Sequence, residues 1–324
     1  MLRAAAPRSA STQLRYVQET PPMLRPRLSQ SLFSAIAVST LGAIIALPAA
    51  AQTSPLISAY DDASTAVVDS EAYSEIITAL SVTERGRTLI AYDVANARAL
   101  PFFQQYVNYL SGVAVETLNR DEQLAYWLNT RNILLVQGLA EQRRHSGFKK
   151  KRGTPNQPGQ FWTEDRITVS GVSLSLHDIE QNILFAGWDD PNIIFGLYQG
   201  VEGGPALPRQ AFTGTNVHSQ LAEAGRRFTT LPSNFRVRGD KVRISTYFDW
   251  YLDLAFEGDE AALRQHLVSF AKPDQQVIVG AAGTLSRNKL STSFEQYRTR
   301  QAISGSGTSS SGFSSSGSRG GFGS

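Results

Sequence analysis

The feature that most constrains the fold is a long helical pattern that begins near Asn119 and continues to about Gln142. Asn119 is a suitable N-cap, and Glu122, three residues later, stands where a capping box has its acidic residue. Side chains at the three- and four-residue spacing of a helix then follow one another. They are Leu124, Trp127, Leu128, Arg131, Leu135 and Leu139. The pattern predicts the strongest helix in the chain.

Two amide side chains, Asn129 and Asn132, lie one turn apart on this helix and project from the same side. Buried amides are costly unless they form hydrogen bonds. We therefore expect them either to bind the backbone of neighbouring loops or to take part directly in a functional site, and the structural role is favoured.

The remaining patterns predict an α+β fold, a single globular domain of several helices packed on a small, mostly antiparallel sheet with two β-hairpins. Predicted helices cover residues 71–80, 100–110, 216–231, 245–256 and 261–270. Predicted strands cover residues 87–92 and 277–281, and the hairpins are Arg166–Leu176 and Phe235–Ile244.

A short helix is predicted after the first hairpin, with Ser175 as its N-cap and Asp178 as the acidic partner. Glu180 is then the best candidate for a carboxylate that points inward. His177 beside Asp178 resembles an acid/base pair only loosely, because adjacent helical positions diverge by about 100°. Glu180 and His177 are the two candidate catalytic residues.

The segment Trp188–Pro208 contains an apolar run, Ile193–Leu197, that leads into a loop rich in Gly and Pro. The run is predicted to be a buried strand, and loops that follow such strands often form sites. This loop has no Cys, His or Ser, and Glu202 is its only charged residue.

The amino-terminal residues have the features of a secretion signal. Arg25 and Arg27 precede an apolar run, and Pro48–Ala51 supplies the small residues of a cleavage site, so cleavage is expected after Ala51. The run has about 16 residues, short of the roughly 20 that span a membrane, so no stable span is expected after cleavage. Met23 is an alternative start. The protein is therefore expected to be periplasmic or secreted.

Four regions are predicted along the chain: a signal peptide at 1–51, a helical segment at 52–84, a globular domain at 85–300 and a tail at 301–324. Residues 304–324 contain 10 Ser and 7 Gly, a composition typical of disorder. The net charge of +3 arises in the leader, where residues 1–51 hold five Arg and one Glu. This balance gives no case for nucleic acid as a general partner.

The basic run Arg143–Arg152 could bind phosphate or a membrane, but no aromatic alternation organises its charges, and a solvated loop is predicted. The sequence contains no Cys, which excludes thiolate nucleophiles, disulfides and Cys-ligated metals in this chain. The four His residues do not form a metal-ligand pattern, and no cofactor is expected.

Four motifs in order resemble the family called domain of unknown function 547. They are LNRDEQLAYWLNTRNILL, VSLSLHDIEQNIL, DPNIIFGLYQGVEGGPALP and ISTYFDWYLDLAF, within about Arg87–Phe256. The resemblance implies an α+β domain without an agreed reaction. The positions that fit the family pattern are Trp127, Asn129, Asn132, Asp178, Ile179, Glu180, Phe195, Leu197, Pro205, Phe248, Trp250 and Tyr251.

The chain departs from that pattern at positions where the family has chemically reactive side chains. Ile194 stands where the family has His, and Gln199 and Gly204 stand where it has Cys. If relatives use a Cys–His pair for acyl transfer, this chain lacks both the nucleophile and the base.

Two functions follow from these observations. The first is a non-catalytic or degenerate exported domain that binds a small ligand or envelope protein in a cleft beside residues 199–205. Its candidate binding residues are Asn129, Asn132, Glu180, Gln199 and Glu202. The alternative is an envelope hydrolase or acyl transferase that uses carboxylate or His chemistry.

Overall fold

A computed structural model of the chain describes residues 55–84, 87–281 and 284–296. The signal peptide predicted at 1–51 and the tail predicted at 301–324 lie outside the described residues. Neither prediction is therefore tested by the structure.

The described residues form an α+β domain, as the sequence predicts. The helices are α1 (Glu71–Leu80), α2 (Tyr92–Val94), α3 (Leu100–Ser111), α4 (Arg120–Gln142), α5 (Phe148–Arg152), α6 (Gln160–Thr163), α7 (Leu176–Asp178), α8 (Phe185–Gly187), α9 (Ile193–Gly196), α10 (Val217–Thr230), α11 (Leu252–Phe256), α12 (Glu260–Val268) and α13 (Gln276–Ala281). The strands are β1 (Ser81–Glu84), β2 (Arg87–Ile90), β3 (Gly153–Thr154), β4 (Gln157–Pro158), β5 (Asp165–Val169), β6 (Val172–Ser175), β7 (Phe235–Arg238), β8 (Lys241–Ser245) and β9 (Ser286–Asn288).

Helix α4 is the centre of the domain. Of its 23 residues, 18 are buried, so neighbours cover it on nearly every side rather than along one stripe. Its N-cap is confirmed, because the Asn119 side chain accepts a hydrogen bond from the Glu122 backbone N–H at 2.9 Å.

The capping-box role expected for Glu122 is wrong. Its carboxylate instead accepts backbone hydrogen bonds from Val68 at 2.8 Å and from Gly214 at 2.6 Å. The side chain joins two distant segments to the start of α4, and it is 4% exposed. Buried backbone N–H groups need such acceptors, and that requirement outweighs the local contact.

The strands form small separate sheets around this helical core. Strands β5–β6 and β7–β8 are the two predicted antiparallel hairpins, with Val169 opposite Val172 and Arg238 opposite Lys241. Strand β9 joins β8 in parallel, and β1 pairs with β2. The helices therefore pack on several small ribbons rather than on one continuous sheet.

Two apolar runs predicted as strands are helices. Ile193–Gly196 is the short helix α9, which follows a turn in which Asp190 Oδ1 accepts a hydrogen bond from the Asn192 N–H at 2.8 Å. Residues Gln276–Ala281 form α13, and Val277, assigned to a buried strand, is 79% exposed. A short apolar run satisfies its backbone locally when no strand lies beside it.

Candidate functional site

Glu180 is directed into the protein by the helical turn that precedes it. The capping box predicted at Ser175 is confirmed: the Asp178 N–H donates to Ser175 Oγ at 3.1 Å, and the Ser175 N–H donates to Asp178 Oδ2 at 3.0 Å. The chain then continues through a π-helical turn, Ile179–Leu184, in which Glu180 faces inward and is 2% exposed.

The partner of Glu180 is Arg131 in the middle of α4. Arg131 Nε donates to Glu180 Oε1 at 2.7 Å, and the guanidinium also hydrogen-bonds to Asn132 Oδ1 at 3.1 Å and to the Tyr198 carbonyl. Arg131 is 0% exposed. A buried ion pair is tolerated only when further hydrogen bonds satisfy it, and this pair has them.

Tyr251 and Gln199 extend the network. Tyr251 Oη donates to Glu180 Oε2 at 3.1 Å, and Gln199 Nε2 donates to Tyr251 Oη at 2.6 Å. Burial raises the pKa of Tyr251 well above its ordinary value, so the phenol remains a neutral donor to the carboxylate. We call Arg131, Glu180, Tyr251 and Gln199 the buried network.

The two amides of α4 bind loop backbone, as the structural interpretation of the sequence predicts. Asn129 donates to the Phe212 carbonyl at 2.8 Å and accepts from the Phe212 N–H at 2.9 Å. Asn132 donates to the Gly196 carbonyl at 2.8 Å and accepts from the Tyr198 N–H at 3.1 Å. Asn132 thus fixes the end of α9 and Asn129 fixes the loop before α10, with 0% and 4% of their surface exposed.

The other candidate residues lie apart from this network. Glu202 is exposed, and its carboxylate accepts a hydrogen bond from Ser291 Oγ at 3.1 Å. His177 is half-buried, and its imidazole makes no hydrogen bond with the described residues. The candidates therefore divide into four buried side chains and two at or near the surface, and they do not line one pocket.

Sequence reasoning missed Arg131 and Arg152 as members of the interior. Arg152 donates to the Gln199 carbonyl at 2.6 Å, is 6% exposed, and lies over the rings of Phe161 and Trp162. Burial lowers its pKa to about 10. The solvated loop predicted for 143–152 is therefore wrong at its end, where α5 turns Arg152 inward. For Arg131 the signal was its place at the helical spacing of the apolar residues.

Comparison with known proteins bears on the positions around Gln199. Residues 115–229 match the family model described as "Protein of unknown function, DUF547". This segment belongs to the DUF547 family. Comparison of the chain with curated proteins and with solved structures gives no match. The resemblance to DUF547 is confirmed over 115–229, which contains α4, the buried acid Glu180 and the segment Trp188–Pro208.

The three positions at which the chain departs from the DUF547 pattern are all buried. Ile194 and Gln199 are 0% exposed, and Gly204 is buried beside Gln199. Tyr247 Oη donates to the Ile194 carbonyl at 2.5 Å, which fixes α9 against the aromatic segment. A Cβ atom at Gly204 would lie 3.2 Å from Gln199 Cβ, so the two positions at which the resemblance to the family leads us to expect Cys are neighbours.

An open groove begins at Gly204 rather than at Gln199. A cavity of about 250 Å³ lies between the loop and the end of α10, with Phe228 and Leu231 as its apolar part. Arg87 and Arg227 are its charged residues. A second cavity of about 370 Å³ continues from it across Ala206, Ala224 and Arg227. We call the two together the α10 groove.

Arg87 and Arg227 differ in what they bind. Arg87 Nε donates to Glu295 Oε1 at 2.5 Å, and its Nη2 donates to the Gly204 carbonyl at 3.1 Å. Arg227 is exposed and forms no ion pair within the part of the chain that the structure describes. The first cavity has no acidic residue in its lining. The first cavity is therefore positive at one wall and apolar at another, whereas Glu223 lines the second cavity.

Within residues 55–84, 87–281 and 284–296, no group of three or more His, Asp or Glu side chains is arranged to hold a metal ion. No helix among the same residues has both the length and the apolar character that a membrane span requires.

Proposed function

We propose that this protein is a non-catalytic domain of the DUF547 type that binds a small ligand. The observation that carries the proposal is the burial of Gln199 within the buried network, at a position where the family pattern has Cys. Gln199 is 0% exposed, and its amide N–H groups are directed to Tyr251 and to the Leu197 carbonyl. A substrate cannot reach this position without displacing the core.

The α10 groove is the surface that best suits a ligand near this segment. Specific ligands are held by an apolar surface together with a few well-placed polar groups. The groove offers Phe228 and Leu231 on one side and the guanidinium of Arg227 on the other. We infer a small amphipathic anion as the ligand, with a carboxylate or phosphate at Arg227 and its apolar part on Leu231, which is 38% exposed.

The test uses octanoate and octyl phosphate as probes, with octanol as the neutral comparison. Titration calorimetry should show that the two anions bind the wild-type protein and that octanol binds more weakly. Arg227→Ala should weaken binding of the anions about tenfold, because a charge-assisted hydrogen bond is worth about 1.5–3 kcal/mol. It should leave binding of octanol nearly unchanged.

Lys149→Ala is the control. Lys149 is an exposed basic residue of α5 and lines neither cavity of the groove. Its removal changes the net charge by the same amount without altering the groove. Equal weakening by both variants, or no binding of either anion, would refute the proposed function.

We further propose that the protein is exported and that the ligand is an envelope component. The support is the arrangement of Arg25, Arg27, the apolar run and the small residues to Ala51 in the sequence. Intact-mass measurement of protein recovered from the extracytoplasmic fraction should give a chain that begins near Gln52. A mature chain that retains residues 25–51 would contradict export by cleavage.

The alternative, a hydrolase or acyl transferase with carboxylate chemistry, has less support. It would require Glu180 to meet a substrate, whereas this carboxylate is 2% exposed and bound by Arg131 and Tyr251. His177 lacks a hydrogen-bonded partner among the described residues that could orient it as a base.

A further inference from the structure

The hairpin β7–β8 places four basic residues on one exposed face. Its register sets Arg236 directly opposite Arg243 and Arg238 directly opposite Lys241. All four side chains are exposed, while the alternate residues Phe235, Val242 and Ile244 are buried against the domain. The basic residues therefore occur as two cross-strand pairs of like charge.

This arrangement works against stability of the free hairpin. Side chains directly opposite on one face of an antiparallel pair are close neighbours, and like charges there repel each other. The charge of the nearby Arg287 on β9 is compensated by ion pairs with Asp249 at 2.7 Å and with Glu260 at 2.8 Å. Within the described residues, none of the four hairpin residues has such an ion pair.

The four side chains surround a cleft. The cavity measures about 590 Å³, and it extends from the hairpin to the neighbouring strand, where Ser286 lies opposite Arg243. Its lining residues are Arg236, Arg238, Gly239, Asp240, Lys241, Arg243 and Ser286. Asp240, in the turn, is the only acid among them, and the lining has no aromatic side chain.

We propose that this cleft is a second binding site, for a ligand that carries two or more closely spaced phosphate groups. Guanidinium groups bind phosphate through paired N–H donors, and three of the four residues are Arg. Bound phosphates would lie between the opposed pairs and remove their mutual repulsion. A single-stranded nucleic acid is disfavoured, because such sites normally stack bases on aromatic rings.

The site is independent of the proposed function. It shares no lining residue with the α10 groove, and it has no apolar wall for the body of an amphipathic ligand. The phosphate cluster could belong to a soluble polyphosphate or to a lipid headgroup, since both present the same chemistry to the cleft.

The experiment measures the binding of tripolyphosphate to the full chain by titration calorimetry, at low and at physiological salt. Tripolyphosphate should bind, more tightly than orthophosphate, and its affinity should fall as salt rises. The double variants Arg236→Ala/Arg243→Ala and Arg238→Ala/Lys241→Ala should each weaken binding by roughly tenfold or more, on the scale expected for removing two basic side chains from an anionic contact.

The control is Lys149→Ala/Lys150→Ala, which removes two exposed basic residues from α5 and leaves the hairpin intact. It should change the affinity by less than about twofold. Equal weakening by this variant would show a general charge effect and would overturn the proposal, as would failure of tripolyphosphate to bind.

Two further measurements separate the remaining outcomes. Vesicles of phosphatidylcholine with and without cardiolipin distinguish the sources: cosedimentation that requires cardiolipin and is competed by tripolyphosphate identifies a headgroup, and binding of tripolyphosphate alone identifies a soluble ligand. Thermal melts of the double variants should match or exceed the wild-type melt, because repulsion is removed. Lower melting temperatures would show that the four residues stabilise the hairpin, which would overturn the proposal.

Discussion

Gln199 and Gly204 occupy adjacent points of the loop although five positions separate them in sequence. A Cβ added at Gly204 would meet Gln199 Cβ at 3.2 Å. The Cβ atoms of a disulfide are usually about 3.5–4.5 Å apart, so a shift of a few tenths of an ångström would suit a crosslink. Gly204 has no positive φ, so a side chain there adds no backbone penalty.

We therefore expect the double variant Gln199→Cys/Gly204→Cys to form a disulfide under mild oxidation. Intact mass should show the loss of two hydrogens, and no free thiol should be titrated after unfolding. The single variant Gln199→Cys should keep a thiol that reacts with maleimide only after unfolding, because position 199 is 0% exposed.

Two free thiols in the oxidised double variant would contradict this geometry. Formation of the disulfide would mean that the two Cys positions of the family can serve as a crosslink. Cys residues at these places in relatives would then have a structural explanation, and the acyl-transfer hypothesis would lose its main support.

At the scale of elements, the sequence predicts helices and hairpins correctly where capping residues and periodicity agree. Helix α1 lies at Glu71–Leu80, as its spacing predicts, and both hairpins were found from alternation about a short turn. The prediction of strands at Ile193–Gly196 and Gln276–Ala281 is wrong because short apolar runs fit a buried strand and a buried helical turn equally well.

The candidate site was predictable only in part, for a related reason. Helical phase indicates that Glu180 points inward, and the structure agrees. Its partner Arg131 is 49 positions away in the sequence, and Tyr251 is 71 positions away. Such pairings depend on how α4 and the aromatic segment pack, and no local pattern encodes that packing.

Helix α12 packs through His266 against an aromatic cluster. The imidazole lies 6.0 Å from the Phe195 ring, 5.5 Å from Phe256 and 5.2 Å from Phe270, measured between ring centroids. Burial lowers the pKa of His266, an effect that Asp190 only partly opposes. The buried Nε2 has no hydrogen-bond partner among the described residues.

This packing predicts that acid weakens the docking of α12. Because the pKa of His266 is lower in the folded protein, the unfolded chain binds the proton more readily. The contribution to stability is full above the unfolded pKa of about 6.5 and declines as the pH falls towards the folded pKa. His266→Phe should remove this decline. The free energy of unfolding of this variant in urea, relative to that of the wild type, should therefore increase from pH 7 to pH 5.

A matched control for that series is His145→Phe, which alters an exposed His outside the cluster. It should follow the wild-type pH dependence. If His266→Phe also follows the wild type at every pH, the imidazole is not protonated more easily in the unfolded chain, and the prediction fails.

At the scale of the whole domain, the carboxyl-terminal described segment closes the structure over the loop that starts the α10 groove. The Glu202 N–H donates to the Ser293 carbonyl at 2.9 Å, and the Glu295 N–H donates to the Gly200 carbonyl at 3.0 Å. Ile90 forms an isolated parallel bridge with Gln296. Segments more than 200 residues apart thus meet beside Arg87, and no local pattern in the sequence indicates this contact.

The acid at this junction is unusual in its titration. Glu295 is 0% exposed, and burial raises its pKa to about 7 even though Arg87 lies 2.5 Å away and acts in the opposite direction. One carboxylate oxygen, Oε2, has no hydrogen-bond partner among the described residues. Desolvation therefore outweighs the single, partly exposed guanidinium.

The free energy of unfolding of the domain should therefore depend on pH through the titration of Glu295. Since the folded pKa is raised, the folded protein holds the proton over a range in which the unfolded chain has lost it. The contribution of Glu295 to stability is full below pH 4.5, the ordinary pKa of the group. It declines as the pH rises and is lost once the pH has passed about 7. The full loss is about 3–4 kcal/mol, from about 1.4 kcal/mol for each pKa unit.

Glu295→Gln should abolish this decline, because an amide still accepts the hydrogen bond from Arg87 but does not ionise. Relative to wild type, its free energy of unfolding in urea should therefore rise from pH 5 to pH 7 and stay level above that. Glu116→Gln, at an exposed carboxylate of the same domain, should show no such window. A constant difference between Glu295→Gln and wild type from pH 5 to pH 8 would mean that Glu295 is ionised throughout, and that Arg87 compensates its burial in full.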